Sequence, residues 1–197
     1  METETAVNTL IGKYVQNLSK IKFDLGTSTA QYGATITKSE IILASVSHTG
    51  TTWTSDTINQ SGNVVVTGKV TDSRGLTNEK TVTVNLLAYQ PPAVTKFTVD
   101  RAQSNGTLDI LGTYAKSISQ ATVSSLINVT EKNTLTYTLY RKLRSDVNWT
   151  LHKTAATIAG LTLNATDTIN ASLTATSTYD FKIVVTDKFK TTTVLLA

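Results

Sequence analysis

Short stretches of alternating apolar and polar residues occur along the whole chain. Residues 21–25 and 94–100 alternate in this way, and residues 179–183 repeat the pattern late in the chain. A period of two predicts a β-strand that turns one face toward a core. Gly33 and Gly62 mark turns between such stretches. Short strands separated by turns are typical of a β-sandwich, so the pattern predicts an all-β protein.

One segment near the start follows a different period. Val7, Leu10, Ile11, Tyr14 and Leu18 recur at helical spacing. A glycine within the segment weakens a helix. Two interpretations stay open here: a short N-terminal helix over residues 1–13, or a first strand beginning near Tyr14.

The prolines divide the chain into two parts. Pro91 and Pro92 are the only two, and they directly follow the strand-like run 81–87. Consecutive prolines remove backbone donors and favour extended backbone, which suits a short linker. We therefore predict two tandem immunoglobulin-like (or fibronectin-III/PKD-like) β-sandwiches, residues 1–90 with an N-terminal arm and residues 91–197. Each is long enough to bury its own core.

Both halves end in a similar hairpin. Residues 68–88 and 183–197 each contain a strand entering Val-Thr-Asp, a polar turn, and a strand that ends in Leu-Leu-Ala. We predict that Asp72 and Asp187 open these turns by accepting hydrogen bonds from nearby backbone amides. The repeat indicates tandem duplication. Because the second copy has no following linker, we expect the natural protein to extend into a longer array.

Composition supports strands, and its mild excess of basic residues could favour an anionic partner. About one residue in five is threonine, which is β-branched and suits a strand with a solvated face. The net charge of +4 comes entirely from residues 91–197, with eleven Lys and Arg against seven Asp and Glu. No basic stripe or nucleic-acid motif accompanies it, so we expect no nucleic-acid partner. Cysteine is absent, which fits both bacterial surface proteins and virus particles assembled in a reducing cytoplasm.

The sequence shows neither a secretory signal nor a membrane span. The opening METETAVNTL lacks a positively charged region followed by an apolar run. No apolar segment approaches the roughly 20 residues that cross a bilayer. We expect no membrane insertion.

Catalytic motifs are also absent. His48 and His152 are the only histidines, and neither belongs to a recognisable motif. There is no phosphate loop, HExxH or Gly-x-Ser-x-Gly. No Asp-x-Asp-x-Asp cluster offers the oxygens that calcium needs. We therefore predict a non-enzymatic protein without catalytic residues, cofactor or metal.

The most distinctive stretch is residues 135–151, which predict a hairpin turning near Ser145-Asp146. If Tyr137 and Leu139 face the core, the following tyrosine and lysine face outward. Aromatic and arginine side chains together are typical of binding surfaces. The candidate partner or glycan surface consists of Tyr140, Arg141, Lys142, Arg144 and Trp149.

The aromatic residues also allow a purely structural interpretation. Trp149 could be a core residue, with Trp53 in the corresponding place of the first domain. Tyr179, at the start of a late strand, could form a tyrosine corner or occupy an ordinary core position.

Several motifs resemble one family. Similarity lies in residues 14–22, 32–36, 70–75, 89–92 with Phe97, and 112–116. Together they resemble the Ig-like repeats of minor tail and tail-tip proteins of siphophages that infect Gram-positive bacteria. Lys188-Phe189-Lys190 departs from the Ser-Arg-Gly expected at that turn.

The resemblance implies a virion component at the distal tail, exposed to the host surface, assembled with other tail proteins in the host cytoplasm. Its modules would space or present host-binding elements. Trimeric assembly is an expectation by analogy alone. Two alternatives remain: a carbohydrate-binding module for host cell-wall saccharide, and a spacer of a bacterial surface adhesin.

Overall fold

The computed structural model describes Val7 and residues 10–197. Its strands in chain order are β1 (Tyr14–Val15), β2 (Lys22–Asp24), β3 (Ile36–Leu43), β4 (Val46–Thr49), β5 (Thr52–Thr54), β6 (Gly62–Asp72), β7 (Thr77–Leu87), β8 (Ala93–Ala102), β9 (Tyr114–Thr122), β10 (Ile127–Asn128), β11 (Thr130–Glu131), β12 (Leu135–Leu143), β13 (Thr150–Ile158), β14 (Thr162–Asn170), β15 (Tyr179–Thr186) and β16 (Thr191–Leu196). The all-β sandwich prediction is confirmed.

The N-terminal segment combines both interpretations. Val7, Leu10 and Ile11 have helical backbone, and the first strand begins at Tyr14. The rest of the possible helix, residues 1–6 and 8–9, lies outside the described residues.

The chain divides into two compact units. The first comprises residues up to Tyr89 together with Leu126–Lys132, and the second comprises Gln90–Ser125 and Asn133–Ala197. The segment 126–132 contains β10 and β11, which pair with each other. Although it follows Pro91-Pro92 in sequence, its contacts are with the first unit. The division into domains at residues 1–90 and 91–197 stays a prediction.

The first unit is built on one five-stranded sheet, in the order β1-β7-β6-β3-β4. The small antiparallel sheet β2-β5 packs on it through Phe23, and Trp53 lies at the margin of the shared core. The buried side chains of this core are Ile21, Phe23, Ile41, Leu43, Ile58, Val64, Val66, Val84 and Leu86. Alternate residues of β6 and β7 face it, as a period of two requires.

The β6–β7 hairpin confirms the turn predicted at Asp72. Its carboxylate accepts hydrogen bonds from the backbone N–H groups of Arg74 at 2.9 Å and Leu76 at 3.1 Å. The hydrogen bond from the Arg74 side chain holds the pKa of this carboxyl below its usual value. Gly75 adopts φ 82°, a left-handed conformation that glycine accepts without steric cost.

The second unit packs a three-stranded sheet, β14-β9-β8, against a four-stranded sheet, β13-β12-β15-β16. Its core is lined by Ala121, Val123, Leu135, Tyr137, Leu139, Leu163, Ile183 and Val185, with a second cluster at Ala115, Ala171, Leu173 and Phe181. In the constant-type immunoglobulin order the fourth strand joins the sheet of the first two. Here β13 pairs with β12 instead, so the fourth strand of this sandwich lies in the same sheet as the third.

The turn predicted at Asp187 in the second unit is confirmed, and the contact of Tyr179 bears on an interpretation that the sequence left open. The Asp187 carboxylate accepts hydrogen bonds from the N–H groups of Phe189 and Lys190, both at 2.7 Å. The Tyr179 hydroxyl accepts one from the backbone N–H of Thr174 at 3.2 Å. Tyr179 therefore bonds the connection that precedes its own strand, as a tyrosine corner does.

Two serines on the core face of β9 are unusual, and they give a stability prediction. Among the described residues, the hydroxyls of Ser117 and Ser119 have no hydrogen-bond partner although both side chains are buried. We expect Ser119→Ala to raise the free energy of unfolding by about 1 kcal/mol, because an unsatisfied buried hydroxyl is removed. Urea denaturation measures this change.

Ser19 provides the matched control. It is equally buried, but its hydroxyl accepts a hydrogen bond from the N–H of Val15 at 2.8 Å. Ser19→Ala should therefore destabilise the protein by about 1 kcal/mol. Equal effects of the two substitutions would contradict the argument.

Candidate functional site

The predicted hairpin at residues 135–151 forms from β12 and β13, with its turn at residues 144–149. Tyr137 and Leu139 are each 2% exposed and face the core, as predicted. Tyr140 and Lys142 lie on the opposite, outer face of the four-stranded sheet and are half-buried there.

Four side chains form a row across the outer face. Tyr140 lies opposite Leu151 on β13 and opposite Lys182 on β15, and Lys182 lies opposite Leu195 on β16. Leu151 is 50% exposed and Leu195 is 63% exposed. We use the name outer-face patch for six residues: Tyr140, Lys142, Trp149, Leu151, Lys182 and Leu195.

Lys182 is at the centre of this patch. Its ammonium lies 4.6 Å from the ring centroid of Tyr140 and 4.5 Å from that of Trp149. Lys142 approaches the Trp149 ring to 5.4 Å. Cations at these distances are attracted by the ring quadrupole, which holds two aromatic side chains in place at a solvent-accessible surface.

The ion pairs near the patch leave one cation uncompensated. Asp180 pairs with Arg144 at 2.9 Å and with Lys142 at 3.6 Å. Lys182 has no carboxylate within ion-pair distance among the residues described. Its charge is therefore available to an external anion.

The structure brings together most of the predicted surface but not all of it. Tyr140, Lys142 and Trp149 meet on the outer face. Arg144 lies at the edge of this face, where it forms an ion pair with Asp180. Arg141 lies opposite Phe181 on the other face of β12, so it does not belong to the patch. This placement follows because successive residues of a strand point to opposite faces.

Lys182, Leu151 and Leu195 were missed by sequence reasoning. The alternation of residues 179–183 could have placed Lys182 on an outer face, but the neighbouring strand is known only from the fold. A β-bulge near Leu139 and Tyr140 also shifts the pairing register of β12 and β13, because Leu139 pairs with Lys153 whereas Tyr140 pairs with Leu151. Because of this bulge, the Leu151 side chain faces outward and the Lys153 side chain faces inward.

The two tryptophans are not equivalent. Trp53 packs against the core of the first unit, stacks on His48 with centroids 5.4 Å apart, and lies on β5. Trp149 precedes β13 and contacts two lysines on the outer face. The hypothesis of a shared core position is wrong for Trp149.

His152 is positioned as a structural side chain. Its ring contacts Phe181 edge-on at a centroid distance of 6.1 Å. Burial, followed by the positive charge of Arg141, lowers the pKa of His152 from 6.5 to about 4. The neutral ring is thus the form that the folded state accommodates.

The shift at His152 predicts acid sensitivity. The unfolded chain takes up a proton near pH 6.5, whereas the folded chain does so only near pH 4. The contribution of neutral His152 to the free energy of unfolding is therefore fully present above pH 6.5 and is lost as the pH falls from 6.5 to 4. We expect a loss of about 1–2 kcal/mol, reduced from the full shift because the ring is half-buried. Urea denaturation from pH 7 to 4 should show a smaller decline for His152→Gln than for the natural chain. Parallel declines would contradict the assignment.

An open cleft lies on the first unit, with a volume of about 510 Å³. Its walls are the inner faces of β6 and β7 and the loop after β2. Leu25 extends over Gly68, so that a side chain at this position would collide with the leucine. The cleft has mainly apolar walls, and Asp24, Glu79 and Lys80 are among its polar lining residues.

Metal and membrane features are absent from the part of the chain that is described. No three histidine or acidic side chains come together there as metal ligands would. No helix among these residues has the length and apolar character to cross a membrane.

The family comparison covers nearly the entire chain. The model of the family described as siphovirus protein of unknown function (DUF859) matches residues 1–196. The chain belongs to this siphovirus family. No curated protein matches this siphovirus protein in sequence.

A solved structure of carbohydrate-binding modules from the β-sandwich superfamily, characterised for promiscuous specificity, is similar to this siphovirus protein. The TM-score is 0.34 and the sequence identity is 11%, over 93% of this chain and 90% of the other.

Proposed function

We propose that this siphovirus protein is a non-catalytic structural component of the phage tail, whose sandwich units space or present the element that binds the host. The observation that carries the proposal is membership of a siphovirus family over residues 1–196. Two compact all-β units suit a spacing or presenting role. Other tail proteins are the expected partners, and the distal tail is the expected location.

Immunogold electron microscopy of purified virions tests this proposal. Antibody raised against the chain should label the distal tail, and the protein should be detected by mass spectrometry in particles purified on a density gradient. Antibody pre-adsorbed with the pure protein is the control. Presence of the protein in the infected-cell lysate but not in purified particles would overturn the proposal.

Recognition of host cell-wall saccharide is the second candidate function, and the outer-face patch favours it. The rings of Trp149 and Tyr140 contact Lys182 at the surface and are not packed into the core. Aromatic rings with an apolar face and a polar surrounding are common features of saccharide sites. If both proposals hold, the chain is a structural part of the tail and also contacts the host.

A further inference from the structure

We infer that the outer-face patch binds an acidic saccharide chain, with the Lys182 ammonium as its anion-binding group. The inference rests on the proposed function, because it places the host-binding element within this chain. It concerns a charged ligand class and a central residue, Lys182, that the sequence pattern did not identify.

The charges of the patch favour an anion. Arg144 and Lys142 both pair with the Asp180 carboxylate. Among the described residues, Lys182 on the same face has no carboxylate within ion-pair distance. Lys182 is held between two rings, so its position is defined without a carboxylate. An ammonium placed in this way gains a partner, and loses none, when an external anion binds.

The shape of the patch favours a chain over a small ion. The row from Leu151 through Tyr140 and Lys182 to Leu195 crosses four strands. At about 4.8 Å between neighbouring strands, the row is about 14 Å long. A phosphate or sulfate ion would contact only Lys182, whereas a polymer can use the whole row.

The surrounding side chains favour a saccharide over an acidic peptide. Beside the row, the outer face presents Thr138 and Thr193, both opposite Val184. Thr193 is exposed and its hydroxyl can both donate and accept hydrogen bonds. Hydroxyls, an aromatic surface and a cation on a shallow open face together match a hydroxylated, charged polymer.

Biolayer interferometry with the full chain tests the inference. The immobilised probes are polygalacturonate and yeast phosphomannan as acidic saccharides, dextran as a neutral saccharide, and polyglutamate as an acidic peptide. We expect binding to at least one acidic saccharide, weaker or no binding to dextran and polyglutamate, and a decline as salt rises from about 50 mM to about 300 mM.

Three variants locate the site. Lys182→Met keeps the length of the side chain and should weaken binding about tenfold, since one charge-assisted contact is lost. Trp149→Ala and Tyr140→Ala should weaken it by a similar factor. Lys96→Met is the matched control: Lys96 is exposed on β8 of the other sheet and its removal should change nothing. Thermal melting verifies that each variant is folded.

Four results would overturn the inference: no binding to either acidic saccharide, equal binding to dextran, equal or tighter binding to polyglutamate, or unchanged binding by folded Lys182→Met. Preference for polyglutamate would assign the patch to an acidic protein partner. Virion labelling is a separate measurement, so a protein that binds acidic saccharide but is missing from particles would refute the tail role and leave the site standing.

Discussion

Replacing Gly112 by alanine should lower the free energy of unfolding by at least about 3 kcal/mol. We expect no other glycine-to-alanine substitution among the described residues to have a larger effect. Gly112 is buried in the connection between β8 and β9. A Cβ atom there would lie 2.5 Å from the carbonyl carbon and 2.9 Å from the nitrogen of Ala102, and it would also collide with the Ala102 carbonyl oxygen. These are backbone atoms of a strand end, so they cannot rotate away.

Gly160→Ala is the control for this substitution. Gly160 has φ 94° and nothing within 4 Å of its added Cβ, so alanine there meets only backbone strain of about 1 kcal/mol. Urea denaturation of both variants should separate steric collision from conformational strain. Equal losses at the two positions would show that the β8–β9 connection shifts to admit a methyl group.

Removing the Asp167 carboxylate should cost about 3 kcal/mol of stability, because it breaks an ion pair that links the two sheets of the second unit. Asp167, on β14, pairs with Lys153 of β13, and its other oxygen accepts a hydrogen bond from the Tyr137 hydroxyl at 2.8 Å. The Lys153 ammonium also lies 4.8 Å from the Tyr137 ring. In Asp167→Ala, a poorly solvated ammonium and a buried hydroxyl lose their common partner.

Two further variants make this prediction specific. Asp167→Asn keeps an acceptor for Tyr137 but not the charge, so it should cost about half as much. Asp100→Ala removes an exposed carboxylate from β8 and should change stability by less than about 0.5 kcal/mol. Equal losses for Asp167→Ala and Asp100→Ala, measured by thermal and urea denaturation, would count against the inter-sheet role.

Local features of this protein were predictable because they depend on neighbours in the chain. The alternation around Phe23 and Phe97 identified strands, since a period of two is a property of the backbone. Asp72 and Asp187 were recognised as turn residues because a short carboxylate reaches backbone amides only two to four positions away. The Tyr137 and Leu139 side chains were placed in the core for the same reason of strand periodicity.

The composition of the patch could be predicted only in part. Tyr140, Lys142 and Trp149 belong to one hairpin and could be found together. Lys182 is about forty residues away in sequence, and it reaches them because β15 pairs with β12 in one register. Arg141 is adjacent to Tyr140 and Lys142 in sequence but lies on the opposite face of the strand.

The all-β class and the two hairpins that begin at Asp72 and Asp187 could be inferred from the sequence alone, because they follow from backbone geometry over a few residues. The tertiary structure alone decided that the segment 126–132 joins the first unit, that a bulge separates Leu151 from Lys153, and that Lys182 lies between Tyr140 and Trp149. These three depend on strand pairing between distant segments, and their register is selected by the packing of the whole sheet rather than by any local pattern.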